Sequence, residues 1–332
     1  MFHARSLFLS ISAAGLLLAE STPNTSLLVL SKSDRTLSIV DPASNFKIVA
    51  RMPSGPDPHE VEASTDGKLA FISNYGGGAY NTITVIDLVG QKVLSTVDLG
   101  PLRGPHGLMF SAGRLWFTAE AAKVIGTLDP ATLKVDWILG TGQNRTHMVW
   151  ASADMKWLVT SNISSATMTI IEKTVRGPGG GQPDWDETNI PVGRGAEGFD
   201  VSPDAKEIWC ANSQDGTISI IDVASKKVVA TLQANVRGAN RLKFTPDGKR
   251  VFVSTLGGPD LTILDASTRA EVKRIKIGRG AAGIQMQPDG ARVYVACTPD
   301  NYVTVIDSKT LEVTEHIDAG KQPDGMAWAV RK

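Results

Sequence analysis

The chain has 332 residues and carries 34 Lys and Arg against 34 Asp and Glu, so its formal net charge is zero. That balance argues against strong non-specific attraction to nucleic acid. Two cysteines in this length make no disulfide framework.

The first segment, MFHARSLFLSISAAGLLLAEST, has the plan of a secretory signal peptide. Arg5 precedes an apolar run from Leu7 to Ala19, and polar residues follow. The run is short for a membrane span, and no later segment is apolar enough to cross a bilayer. Residues 1–20 are therefore expected to be a signal peptide. Residues 25–332 are expected to be one exported domain, periplasmic or extracellular, without membrane insertion.

From Leu27 to Arg51 the chain holds LLVLS, RTLSIVD and FKIVAR, three strand-like runs. A repeat then begins. Its copies are PDPHEVEAS with His59, RGPHGLMFS with His106, NRTHMVWAS with His147 and RGAEGFDVS with Glu197. They continue as RGANRLKFT with Asn240, RGAAGIQMQ with Ala282 and KQPDGMAWA with Asp324. The steps between these residues are 47, 41, 50, 43, 42 and 42. A period just above 40 fits a propeller blade or a paired-helix solenoid.

The pattern inside each copy decides. In the fifth copy Arg241-Leu242-Lys243-Phe244 alternates polar and apolar, and Pro246-Asp247-Gly248 turns. Runs at Arg250–Ser254, Leu261–Leu264 and Glu271–Ile275 then follow between further turns. Four short strands with turn residues between them describe a propeller blade. The last copy has only its first strand, and the chain begins with strands two to four. The prediction is an all-β, seven-bladed β-propeller of four-stranded blades, its ring closed by the N-terminal strands joining the C-terminal strand.

SPDAKEIWCANSQDGTISIIDVASKKVVATL and QPDGARVYVACTPDNYVTVIDSKTLEVTEHIDAG resemble the YVTN-type seven-bladed propeller repeats. The resemblance covers about the whole mature chain and implies the fold. Propellers host enzymes, nucleic-acid binders and cell-surface proteins alike. Pro58-His59, Pro105-His106 and Asn144-Arg145-Thr146-His147-Met148 are in addition similar to the inner-strand starts of propeller-type lactonases. That resemblance implies a channel-mouth site built from His59, His106, His147, Glu197 and nearby arginines.

In a propeller the first strand of each blade lines the central channel, so the repeat turns distant residues into one arc. Each ring residue is expected near the end of its blade's second strand. That pairs His59 with Asn74, His106 with Glu120, His147 with Asn162 and Asp324 with Ser31 or Lys32. Two chemistries fit the arc. His59, His106, His147 and Glu197 suit a divalent metal, zinc or similar. Alternatively a histidine exchanges protons without a metal, with Glu120 or Glu197 as its partner.

A second repeated feature is basic. Arg103, Arg194, Arg237 and Arg279 stand three residues before ring positions, with Arg145 and Arg241 close by. Arginine forks carboxylates and phosphates well. Together with Asn74, Asn240 and Asp324 these are the expected substrate-binding groups for a small anionic molecule. Asn74–Asn81 joins strands two and three and is expected to overhang the site. Val175–Glu187 reads as a flexible loop on the opposite face. Cys210 and Cys297 are expected free and buried.

The reading is an exported enzyme, a hydrolase or lyase acting on a small anionic or lactone-type substrate at the channel mouth. The alternative is a non-catalytic propeller of the cell envelope that binds a ligand or a protein partner. Nucleic acid is the least expected partner.

Overall fold

Apolar and small residues without a charge inside the run let the second and third strands of each copy sit between neighbouring sheets, where they are buried almost throughout. Outer strands alternate buried or half-buried with exposed positions, as a sheet edge facing water requires. The computed structural model describes residues 21–177 and 181–331. The expected signal peptide at 1–20 lies outside the described residues.

Seven four-stranded antiparallel sheets make up the described fold. Blades 1 to 6 run inner to outer in chain order and start at Pro58–Ala63, Pro105–Ser111, Thr146–Ala151, Ala196–Val201, Ala239–Phe244 and Ala281–Met286. Blade 7 has Pro323–Val330 as its inner strand, followed by Thr25–Ser31, Thr36–Asp41 and Lys47–Pro53. Leu27 pairs with Trp328 and Val29 with Met326, so the two ends of the chain close the ring by backbone bonds.

The core is a set of apolar layers between adjacent blades. Phe71 and Val85 of blade 1 pack with Leu115 and Phe117 of blade 2. Leu28, Leu30 and Leu37 of blade 7 pack with Ile72 and Ile86 of blade 1. Trp209 of blade 4 meets Phe244 of blade 5 edge-on, ring centroids 5.6 Å apart. Cys210 and Cys297 are free and buried.

Each inner strand carries one extra residue near its start. Pro58 pairs with Asn74 and Val61 with Ile72, so three steps on the inner strand face two on its partner. The same shift falls at 105/108, 146/149, 196/199, 239/242 and 281/284. A bulge of this kind re-aims side chains. Here it turns consecutive residues towards the channel: His59 and Glu60, and likewise Asn240 and Arg241.

The bulges are tied down by hydroxyls. Glu60 N–H donates to Ser73 Oγ (3.1 Å), which donates to the His106 carbonyl of the next blade (2.9 Å). Gly107 N–H, Thr118 Oγ1 and the His147 carbonyl repeat this at 2.9 and 2.8 Å. Met148 N–H, Ser161 Oγ and the Glu197 carbonyl do so at 3.3 and 2.6 Å. Ser254 fills the role in blade 5. Each hydroxyl satisfies a bulge N–H that the ladder leaves unpaired and fixes the next ring residue.

The residue two before each ring position has a left-handed backbone. It is Gly104, Gly195, Gly238 or Gly280 in four blades, but Asp57 (φ 44°), Arg145 (φ 57°) and Gln322 (φ 53°) in the others. Glycine adopts this conformation without a Cβ penalty, so a side chain retained there is strained.

Val175–Glu187 differs from the expected loop. Thr167–Arg176 and Gln182–Pro191 pair along ten residues each, ending at Arg176↔Gln182. Trp185 packs against Trp137 with centroids 5.5 Å apart, and Lys173 lies over Trp185. Continued cross-strand pairing and an aromatic contact therefore outweigh the local Gly and Pro content.

Replacing Thr118 by Val keeps its shape but strips the bridge from a buried N–H and a buried carbonyl. The expected cost is about 1–3 kcal/mol, read as a lower urea midpoint than the parent's.

Candidate functional site

The bulges bring the ring residues of consecutive blades side by side. His59 and His106 have ring centroids 4.5 Å apart, and His106 and His147 are 3.9 Å apart. Tyr75, from the turn after the second strand of blade 1, sets its ring edge-on to His59 and His106 at 5.0 and 4.9 Å. A cavity of about 380 Å³ opens above this row. Lys32, Arg145, Glu197, Asn240, Arg241 and Asp324 also line it.

The three imidazoles sit in different fields. His147 is buried, and Glu120 Oε1 is hydrogen-bonded to its Nδ1. Its Nε2 lies 3.1 Å from Glu197 Oε1, close enough for an ion pair though not aligned as a hydrogen bond. Burial disfavours the charged ring, but the Glu197 charge and the Glu120 bond outweigh it and hold His147 above the ordinary histidine range. Both glutamates are held below theirs: burial opposes this, and His147 outweighs it. Glu120 also accepts from the Tyr75 hydroxyl and has Arg145 Nε at 3.4 Å. Burial and that carboxylate push the Tyr75 hydroxyl up to about 12.

His106 is the opposite case. It is 2% exposed, and its buried Nδ1 has no partner among the described residues. Burial first, then the neighbouring His147 and His59, drive it well below the ordinary range. It is a neutral imidazole.

His59 accepts a bond from Lys32 Nζ at its Nε2 (2.9 Å). An ammonium can only donate, so the His59 proton sits on Nδ1, which faces Asp324 Oδ2 at 3.4 Å. Burial and the Lys32 charge lower His59 to about 4. Lys32 also reaches Asp324 (3.2 Å) and Asp57 (3.5 Å).

Below this row the Arg241 guanidinium crosses the channel to the Glu60 carboxylate and bonds the Asn240 carbonyl at 3.1 Å. Arg241 is thus buried beneath the mouth, not placed on its rim. A second cavity of about 280 Å³ continues down the channel past Glu62, Asp200 and Lys243. Burial raises the Glu62 carboxyl to about 7.

Other expected positions fall elsewhere. Asn74 pairs with Pro58 rather than His59, and its buried amide bonds Thr82 and Thr84 inside the blade. Glu120 does lie near His106 as expected, their ligand atoms within 4.8 Å, while its hydrogen bond goes to His147 of the next blade. The one-residue shift of the bulge moves Asn74 from His59 to Pro58. Asn240 lines the cavity while its amide bonds the Ala282 carbonyl at 3.1 Å. Arg194 and Arg279 are bound to Asp215 and Asp300 in their own blades and line neither cavity. Arg103 and Arg237 are exposed.

Two sets of ligand atoms lie within 4.8 Å of one another: His59, Glu60 and His106, and His106, Glu120 and His147. Glu197 belongs to neither. Glu60 is engaged by Arg241, and Glu120 by His147, Tyr75 and Arg145; the second set is the one whose three residues are all buried, and it is the candidate for a divalent ion.

The sequence pointed to the arc but not to Tyr75 or Glu60 as members. Tyr75 carried a weak signal as the first aromatic residue of the overhanging segment. Glu60 follows His59 as Arg241 follows Asn240, which becomes informative only once a bulge is known to turn both residues inward.

Among families of known proteins, residues 140–284 match the cytochrome D1 heme domain. No curated protein matches the chain. Among solved structures the chain is similar to a functionally unknown protein from Desulfotomaculum acetoxidans DSM 771, at 12% identity, covering 92% of this chain and 98% of that one, with a TM-score of 0.76. It is similar to a candidate 6-phosphogluconolactonase from Bacteroides uniformis ATCC 8492, at 14% identity, 92% and 99% coverage and a TM-score of 0.73. It is also similar to the dihydro-heme d1 dehydrogenase NirN in complex with DHE, at 17% identity, 92% and 75% coverage and a TM-score of 0.64. At these identities the likeness is one of fold. The chain is a seven-bladed β-propeller with distant lactonase-like and heme d1-domain neighbours.

The depressed His59 has a consequence for stability. Between pH 6.5 and 4 the unfolded chain binds a proton at His59 that the folded chain refuses. Stability from this residue is full above pH 6.5 and is lost as pH falls towards 4. In His59→Asn that loss is absent. The parent's excess in Tm over the variant should shrink, or reverse, from pH 7 to pH 4.5 in scanning calorimetry.

Proposed function

We propose that the chain is an exported small-molecule enzyme, a hydrolase of lactones or related anionic substrates, working at the channel-mouth cavity. The carrying observation is the contrast between two adjacent imidazoles. His147 is held between two carboxylates, and His106, its ring centroid 3.9 Å away, is buried with its Nδ1 unpartnered. Neighbouring groups pushed in opposite directions divide the roles of acid and base.

In the hydrolytic reading neutral His106 takes a proton from a water, whose oxygen attacks the lactone carbonyl. The Arg145 guanidinium, half-exposed at the rim, meets the oxyanion as it forms. The ring C–O bond then breaks as the His147 imidazolium passes its proton to the leaving alkoxide. Lactone and water become a hydroxy acid, and solvent exchange returns the histidines to their starting states. A lyase would use the same pair, with His106 removing a carbon-bound proton. The lactonase-like neighbour supports the hydrolytic version by fold analogy alone.

A second reading rests on the buried, unpartnered Nδ1 of His106 beside Glu120 and His147. These residues would hold a divalent ion, which when bound supplies a more acidic water. The heme d1 likeness is not adopted. The matched segment 140–284 leaves out His59 and His106, two of the three imidazoles at the mouth, so it does not contain the mouth site as a whole.

The test is proton release from γ-butyrolactone, δ-valerolactone and glucono-δ-lactone in a pH-stat. His106→Gln and His147→Gln should each lower kcat/KM about 100-fold or more. No hydrolysis above the buffer rate by the parent on any of the three would defeat the hydrolase reading and favour a binding propeller. Elemental analysis addresses the ion. About one divalent metal per purified chain, lost in His106→Ala, is the expected outcome of the second reading; a metal-free parent that still turns over leaves the acid–base reading alone.

A further inference from the structure

The residues three before the ring positions, most of them basic, obey a local rule. In four blades the backbone N–H there is bonded by the third residue of the turn after that blade's second strand. Asn144 N–H donates to Ser165 Oγ (2.8 Å), and Arg194 N–H to Asp215 Oδ2 (2.7 Å). Arg279 N–H donates to Asp300 Oδ2 (2.6 Å), and Lys321 N–H to Asp34 Oδ2 (2.7 Å). For Arg194 and Arg279 the same carboxylate also takes the guanidinium Nε, at 2.8 Å in each. Those two charges are neutralised within their own blades.

Arg237 holds this position in blade 5, but its clamping residue is Gly258. Arg237 is exposed and forms no ion pair among the described residues. Asp215 of the neighbouring blade feels its charge, yet both oxygens of that carboxylate are engaged by Arg194. Nothing steric excludes a clamp: a Cβ built on Gly258 would meet nothing within 4 Å. Arg103 also lacks a clamp, with Ala122 in the turn, but it lines none of the cavities near the mouth.

Arg237 does line one. A groove of about 460 Å³ runs beside the mouth, bounded by Arg237, Ser213, Gln214, Glu197, Asn240 and Leu256. The last three also line the histidine cavity, so the two spaces join. Leu256 is 53% exposed between them. The groove's one carboxylate, Glu197, is turned to His147.

We propose that this groove is a specificity subsite, in which the unclamped Arg237 binds the carboxylate or phosphate terminus of an elongated substrate. Its apolar middle lies on Leu256, and its reacting group stands over His106 and His147. A guanidinium with all its donors free forks such a terminus. Arg194 and Arg279, spent on aspartates, do not compete for it. The inference deepens the reading of the mouth as a reaction site by naming its substrate class, while anion binding in the groove stands independently of turnover.

The test measures binding of phenyl phosphate, benzoate and neutral phenol by NMR titration. Arg237→Ala removes the recognition group. Gly258→Asp restores the clamp and leaves every residue lining the cavity and the groove in place. Both variants should weaken phenyl phosphate and benzoate about 3- to 10-fold and leave phenol unchanged. Parent-like affinity for both anions in both variants, or no saturable anion binding by the parent, overturns the subsite. His106→Gln separates the two readings: it should retain phenyl phosphate affinity whatever becomes of lactone turnover.

Discussion

A single extra residue near the start of each inner strand controls this molecule's chemistry. In a regular strand consecutive side chains point to opposite faces, and only alternate residues would reach the channel. The bulge lets His59 and Glu60, or Asn240 and Arg241, face it together. Ser73, Thr118, Ser161 and Ser254 stabilise it by accepting from a bulge N–H and donating to the next ring residue's carbonyl. The bond runs between blades, so each ring residue is located by its neighbour as well as by its own strand. This cross-blade linkage makes it possible for three imidazoles to stand in a row, each against the next.

Their closeness has an electrostatic consequence. Three adjacent imidazoles cannot all be protonated in a buried site, and the carboxylates decide which one is. Glu120 and Glu197 enclose His147, and its charge in turn suppresses protonation of His106. Lys32 reinforces the neutrality of His59. The arc is therefore not a set of equivalent residues. One end is paired with carboxylates that favour its cation, the centre is driven towards the neutral form, and the other end is neutral and bonded. Beneath them the Arg241–Glu60 pair spans the channel and separates the mouth from the lower cavity.

Backbone strain falls in the same place. The left-handed position two before the ring residue is glycine in four blades, whereas Arg145 keeps its side chain there. Its guanidinium stands over Glu120 at the cavity edge. Strain retained beside a cluster of coupled charges is consistent with a positioned functional group. The clamp rule has the same character: most blades tie down the residue three before the ring, and blade 5 omits the clamp beside a groove.

The number of blades, the strand order within them, the closure by chain ends and the gathering of His59, His106, His147 and Glu197 were all legible in the repeat. Each depends on periodicity, which is a property of the chain itself. Glu60 was not legible, because a bulge shifts facing by one residue and leaves no mark in polar–apolar alternation; Tyr75 was visible only as an aromatic of the overhanging segment, and the Glu120–His147 bond depends on the spacing between blades. Nor could the chain alone distinguish Arg237 from Arg194 and Arg279. All three stand in the same local motif, and the difference lies in a turn some twenty residues away, where Gly258 replaces Asp215 or Asp300. The sequence by itself determined the propeller and the phase of its polar residues. Only the tertiary structure decided which imidazole is charged, which arginine is free and what faces the channel, because burial and partner distance are set between blades.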